Sequence, residues 1–295
     1  IVIALGAVSE LGHGDNARGY RLSLACIVVA GALQVALALL RAGRLGAIFP
    51  ASVVHGMLAA IGVIIVSKQA HQLVGVVPHA REPLHLLAEI PRSLAALNPD
   101  VAIIGVVALA IMLGMPRVAA RVPALRRVPP PFVVLLVAVP MGLWFDLAHR
   151  HTYTFALDHH RYPLGPQFLV NLPASLLAAV TFPDFSQVTS GASLKYVVMF
   201  ALVGSIESLL TAKAVDMLDP QRRANDLDRD LLATGLGNLV AGMLGGLPMI
   251  SEILRSSANI SYGAQSRRAN FFHGLFLLVA VAFIPGLIHR VPLAA

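Results

Sequence analysis

The stretch GGLPMISEILRSSANISYGAQSRRANFF, Gly245 to Phe272, lies between two apolar runs and carries an arginine, Arg255, soon after a Gly-Gly-Leu-Pro break. The piece from Met249 to Tyr262 is short and polar, whereas a helix needs roughly 20 apolar residues to cross a hydrocarbon core about 30 Å thick. A guanidinium in such a piece calls for a reason, because the rest of the chain is oily. Of 295 residues, 57% are hydrophobic and 13% charged, with mean hydropathy +0.77. Soluble domains carry about 25% charged residues. The sequence is that of an integral membrane protein.

A net charge of +7 and a pI near 10.2 would fit a nucleic-acid partner in a soluble protein. Here the basic residues sit in short loops between apolar runs, so membrane topology accounts for them and no nucleic-acid partner is expected. The single cysteine, Cys26, excludes an intrachain disulfide and a cysteine metal cluster. The chain opens inside an apolar phrase, IVIALGAVSE, and stops at RVPLAA, so it reads as an internal piece of a longer protein.

Apolar runs predict spans at Leu22–Leu40, Leu45–Val66, Val101–Met115, Pro131–Phe145, Tyr196–Ala212, Leu231–Leu247 and Phe271–Ile288. If these alternate across the bilayer, one side collects Arg41, Arg44, Arg117, Arg121, Arg126, Arg127, Lys213, Arg222, Arg223, Arg229, Arg267 and Arg268, twelve of the 22 basic residues. That side is cytoplasmic by the positive-inside rule. The alternation closes only if Met249–Tyr262 crosses back, which makes it a discontinuous element lining a cavity, with its helix starting near Pro248 to Ser251. Two extracytoplasmic connections, about 73 to 97 and about 150 to 194, are long enough for structure of their own; Phe168–Phe182 in the second predicts a surface or re-entrant element. Asp226 or Asn225 is placed to cap the span near Leu231.

Ionisable residues within spans are costly and mark pathways or buried partners. Glu207, in VVMFALVGSIESLLTA, reads as a proton or sodium site, with Thr211 at i+4 on the same helix face as a hydroxyl ligand. The bland reading is a carboxylate tucked against a neighbouring helix. For Arg255 the bland reading is a salt bridge with Glu252 at i,i+3. The functional one joins the guanidinium to the positive end of a broken helix, a setting that binds anions in carriers. Ser251, Ser256, Ser257 and Asn259 would add neutral donors. His55 reads as a packed histidine of a span. His149, His151, His159 and His160 lack metal-site spacing, and no nucleophile or phosphate-loop motif points to an enzyme or a cofactor.

ALVGSIESLLTAKAVD, DLDRDLLATGLGNLVAGMLGGLP, RSSAN with the downstream GAQSRR, and the earlier RAGRLGAIFPASVVHGMLAAIGVIIVSKQAHQLVG together resemble the SulP family of anion transporters, bacterial relatives of solute carrier family 26. The resemblance implies an all-α polytopic membrane fold of two inverted seven-segment repeats, split into core and gate domains, usually followed by a STAS domain. On that template residues 1–44 hold the end of segment three and segment four of the core. Residues 45–150 hold gate segments five to seven, 151–194 an extracytoplasmic connection with short helices, and 195–295 core segments eight to eleven. The resemblance puts Glu207 on the acidic position of segment eight, associated with cation or proton coupling, and Arg255 on a basic position of segment ten near the anion. Ser251, Glu252, Ile253, Leu254 and Ser256 flank it as substrate-binding candidates. Sodium-dependent bicarbonate members carry small or hydroxyl residues just before that position. Glu252 and Ile253 depart from this, which favours proton coupling through Glu207 or a Glu252–Arg255 pair opened by substrate.

The expectation is therefore a secondary active carrier of a small oxyanion such as sulfate or bicarbonate, coupled to a proton or sodium, in the cytoplasmic membrane and homodimeric as the family suggests. A nucleobase permease of the same fold, a non-transporting membrane scaffold or sensor, and a metalloenzyme using the extracytoplasmic histidines are the rival readings.

Overall fold

The computed structural model describes residues 2–80, 82–122, 125, 128–155, 160–172, 179–221, 223–266 and 268–295. Its helices, in chain order, are α1 Val2–Gly12, α2 Asn16–Leu39, α3 Ala51–Leu73, α4 Pro83–Ala95, α5 Pro99–Arg121, α6 Pro130–Trp144, α7 Gly191–Leu218, α8 Leu227–Leu244, α9 Ile253–Ser261, α10 Arg268–Phe283 and α11 Pro285–Ile288. A hairpin of β1 His151–Thr154 and β2 Arg161–Leu164 follows α6. Four of the helices, α2, α3 (from Ser52), α5 and α7, are long and apolar enough to cross a membrane. The basic residues Arg81, Arg126, Arg127, Arg222 and Arg267, and the histidine His159, lie outside the described residues.

The chain forms two compact units, one of Ile1–Met57 with Ser175–His273 and one of Leu58–Ala174 with Gly274–Ala295. At the centre of the first stands α2, which packs against α1, α7 and α8. Its buried residues run right round the helix, from Leu22, Leu24, Cys26 and Ile27 to Ala30, Gly31 and Gln34, as expected of a helix that is apolar on all sides. Ala7, Leu11, Tyr196 and Phe200 complete that core. Small residues set the distance between α2 and α8. A methyl group added at Gly31 would meet Leu239 N at 2.8 Å, and one at Gly235 would meet Val35 N at 2.8 Å. Asp15 caps α2 and Asp226 caps α8, the latter as the sequence predicts.

Prolines move several predicted boundaries. The span predicted at Leu45–Val66 begins as a 3-10 stretch, Ala42–Ile48, and becomes α-helical only from Ala51. Phe49, just before Pro50, is extended at φ −71° and ψ 121°, the conformation a following proline enforces. The run predicted as one span at Phe271–Ile288 is divided into α10 and α11 at Pro285. The connection after α6 opens with the antiparallel hairpin, in which Tyr153 faces Tyr162 with ring centroids 5.8 Å apart, followed by a 3-10 turn at Pro166–Phe168. The element expected over Phe168–Phe182 includes residues 173–178, which lie outside the described residues.

In the second unit α5 packs on α6 around Ile104, Val134, Ala138, Leu147 and Leu164. Tyr153 Oη donates to Asn98 Oδ1 at 3.0 Å, and Asn98 Nδ2 donates to Pro163 O at 3.0 Å, which fastens the hairpin to the start of α5. Burial pushes the Tyr153 phenol up to about 12. α4 is the structure expected between residues 73 and 97. It is held by His71, fully buried at the end of α3, whose ring nitrogens meet Ser93 Oγ at 2.7 Å and Leu86 O at 3.0 Å.

The close approach of α2 and α8 is testable. Gly235→Val in the full-length protein should lower the apparent Tm in detergent by several degrees, since overpacking costs about 1–3 kcal/mol. Gly56→Ala, where an added methyl meets nothing within 4 Å, should leave it unchanged.

Candidate functional site

The first unit has an interior seam of uncharged polar groups, and the broken element is built on it. α8 ends at Gly245, whose left-handed φ of 94° stops the helix and whose position against Thr181 N, 2.8 Å from an added Cβ, admits only glycine. Tyr20 Oη donates to Gly245 O at 2.5 Å. From Gly246 to Glu252 the chain is non-helical. An exposed peptide group in an apolar setting costs several kcal/mol unless paired, and side chains supply the pairing. Asn238, 4% exposed on α8, accepts from Met249 N–H at Oδ1 (2.5 Å) and donates from Nδ2 to Met249 O (3.0 Å). Its Nδ2 also donates to Oε1 of the fully buried Gln34 on α2 at 2.8 Å. Two residues on, Ser251 N–H donates to Ser208 Oγ of α7 at 3.2 Å, and Ser251 Oγ donates to Asp230 Oδ2 of α8 at 3.1 Å.

α9 starts from this anchored segment. Its first helical residue is Ile253, not a residue between Pro248 and Ser251 as predicted, because Asn238, Ser208 and Asp230 hold residues 249 and 251 out of the helix. Arg255 consequently stands in the first turn. Glu252 occupies the N-cap position with extended backbone, φ −119° and ψ 125°, yet its carboxylate accepts no hydrogen bond from that turn. It pairs with Arg255, Oε2 to Nε 2.5 Å, with the side chains 40% and 62% exposed. The salt bridge weighed for Arg255 is therefore present, and it is open rather than buried.

The other candidates divide. Ile253 is buried at 8%, so it anchors α9 with its side chain and offers only backbone to a ligand; Leu254 is exposed. Ser256 Oγ donates to Glu252 O at 2.8 Å and Ser257 Oγ to Leu254 O at 2.9 Å, so both hydroxyl hydrogens serve the helix itself. Glu207 is half-buried on α7, next to Ser208, and Thr211 is buried one turn on. Among the described residues no ion pair joins Glu207 to Arg255. Two buried polar atoms have no partner there: Gln34 Nε2, which faces Gly204 of α7, and Ser205 Oγ.

Farther out, Arg223 Nε pairs with Asp219 Oδ2 at 2.7 Å while Nη1 donates to Gln265 O at 2.8 Å, tying the α7–α8 loop to the chain beyond α9. That guanidinium holds the Asp219 carboxyl at about 2, below its ordinary 3.8. The Arg223–Asp219 pair is thus intact at neutral pH and is lost as pH falls through that lower value. His55 lies exposed on α3 rather than packed. His149 pairs with Asp146 at 2.7 Å, and no group of metal-ligating side chains occurs among the described residues. An open apolar cavity of about 530 Å³ between α4, α5 and the hairpin, lined by Leu94, Ala102, Val106, Phe155 and Tyr162, carries no charge to receive an ion.

The sequence pattern of the sulfate permease family matches residues 1–295. The chain belongs to that family. The sulfate permease relatives include the bicarbonate transporter BicA of Synechocystis sp., 23% identical over 99% of this chain and 48% of its own length, and the putative sulfate transporter YvdB of Bacillus subtilis, 27% identical over 90% and 47%. The chain spans about half the length of these curated relatives. In fold it matches the transmembrane domain of a cyanobacterial BicA, with TM-score 0.68 at 23% identity over 99% of this chain and 69% of that one. It also matches murine solute carrier 26 family member A9 in the inward-facing state, with TM-score 0.65 at 14% identity over 95% and 43%. The family's named members are transporters, not enzymes.

Asn238, Gln34, Ser208 and Asp230 were not singled out from the sequence. The available signal was an uncharged carboxamide in each of two apolar runs, Gln34 and Asn238, each needing a buried partner. Asn238→Leu should strand the Met249 N–H and Gln34 Oε1, at about 1–3 kcal/mol for an unsatisfied group. Hydrogen exchange of the 247–252 peptide in the full-length protein should then accelerate about tenfold or more, with peptides of α5 and α6 unchanged.

Proposed function

We propose that the full-length protein is a secondary active carrier of a small inorganic oxyanion, of the sulfate or bicarbonate class, across the cytoplasmic membrane, coupled to a proton or sodium. The observation that carries this reading is Arg255 in the first turn of α9, solvent-reachable, beside a helix start whose N–H groups no side chain caps. A helix N-terminus presents roughly half a positive charge, and with the guanidinium it offsets a single or double negative charge. The relatives named above, a bicarbonate transporter and a putative sulfate transporter, point the same way.

Charge balance supports the coupling. At the anchored segment stand two carboxylates, Asp230 on Ser251 Oγ and Glu252 itself, against one guanidinium, and Glu207 lies on α7 next in sequence to Ser208. An anion entering that field is opposed unless a cation or proton enters with it. Glu207, half-buried, with Thr211 a turn away, offers the oxygen ligands a hard cation prefers. We further propose that the moving core comprises 1–44 and 195–295 and the gate 45–150, with 151–194 as the extracytoplasmic connection, and that the protein works as a homodimer. The compact units move two pieces in this division, grouping 45–57 with the first and 274–295 with the second.

Reconstituted full-length protein should take up radiolabelled sulfate or bicarbonate. Arg255→Ala should reduce that uptake to background. Glu207→Gln should keep measurable uptake but remove its dependence on an imposed proton or sodium gradient. Unaltered transport by both variants would discard these roles.

A further inference from the structure

Glu252 is placed where it could cap α9 and does not. Its backbone is extended as a cap residue's is, but its carboxylate turns along the helix to the guanidinium three residues on. The backbone beneath it is fixed on both sides. Ser251 is held by Ser208 and Asp230, and Glu252 O accepts from Ser256 Oγ and Ser256 N–H. The side chain can therefore leave Arg255 while the main chain stays in place. The pair is open to solvent, and pairs of that exposure contribute little, so a dissolved oxyanion can displace the carboxylate. Among the described residues neither Glu207 on α7 nor Asp230 on α8 forms an ion pair with Arg255, so Glu252 is the carboxylate that neutralises it.

We propose that Glu252 is a tethered stand-in for the cargo, a carboxylate that neutralises Arg255 whenever no anion does and so lets the carrier return empty. This rests on the reading of Arg255 as the anion seat. A bare guanidinium is costly to carry through a low-dielectric passage. With the anion bound, or with Glu252 bound, that cost is removed. The pair thus allows net uptake in addition to one-for-one exchange, and weakens apparent affinity because the cargo competes with a built-in rival.

The test compares Glu252→Gln with the unaltered full-length protein in proteoliposomes, using radiolabelled sulfate and bicarbonate. Uptake is measured into vesicles free of the anion (net uptake) and into vesicles preloaded with it (exchange). The expected result is an apparent KM lowered about fivefold and a ratio of exchange to net uptake raised several-fold. Glu252→Asp, which keeps the charge on a shorter stem, should fall between the two on both measures, and it serves alone if the Gln variant fails to insert. An unchanged KM with an unchanged ratio, or net uptake and exchange falling together, would overturn the proposal. If Arg255→Ala transports normally, the anion seat itself is wrong. If that variant is dead while the Glu252→Gln ratio is unchanged, only the stand-in role is lost.

Discussion

The carboxamide of Asn238 on the peptide group of Met249 is the constraint from which the rest of the site follows. Non-helical backbone among apolar helices survives only if its N–H and C=O groups are paired inside the protein, and Asn238 pairs both groups of one residue at once. Gln34 then fixes which way the carboxamide points, by accepting from Nδ2. With Met249 and Ser251 tied to helices on either side, the chain turns helical at Ile253, and Arg255 falls in the first turn rather than deep in a helix. Move the anchor and the positive end of α9 moves with it. The glycines Gly31 and Gly235, which let α2 and α8 approach until backbone meets backbone, are what bring Gln34 and Asn238 within reach of each other.

Electrostatically the site is over-supplied with acid. Asp230 and Glu252 both lie at the segment that leads into α9, beside one guanidinium and a helix terminus, and the Glu252–Arg255 pair is open to solvent. In a proposed anion carrier this arrangement has a use, since a seat that is neutral both when loaded and when empty can be carried in either direction. The cost is competition at the seat, which sets affinity by a difference of two anion interactions instead of one.

Much of this was legible in the sequence, and the failures have physical reasons. The apolar runs located the helices because a bilayer core demands length and apolarity, and the Gly-Gly-Leu-Pro break located the interruption because glycine supplies the left-handed stop at Gly245. Local pattern does not report a partner 204 positions away, so the bond between Gln34 and Asn238 was invisible, although a carboxamide in each apolar run was a signal. The sequence places the start of α9 too early because Ser251 is a good helix-start residue whose N–H is claimed by Ser208 and whose hydroxyl is claimed by Asp230. The hairpin at 151–164 was missed because two strands of four residues are too short to show alternation. His55 and His71 were indistinguishable by type; only α4, folding back through Ser93 and Leu86, buries the second.

The central claim is that this geometry receives an anion and moves it with a counter-charge. Its most direct test is uptake by the reconstituted full-length protein across a panel of sulfate, bicarbonate, chloride and uncharged nucleobases, under imposed proton and sodium gradients. The account predicts uptake of an oxyanion that an inward proton or sodium gradient accelerates, with no nucleobase uptake. Transport of uracil or xanthine in preference to any anion, or no flux of any solute, would contradict it.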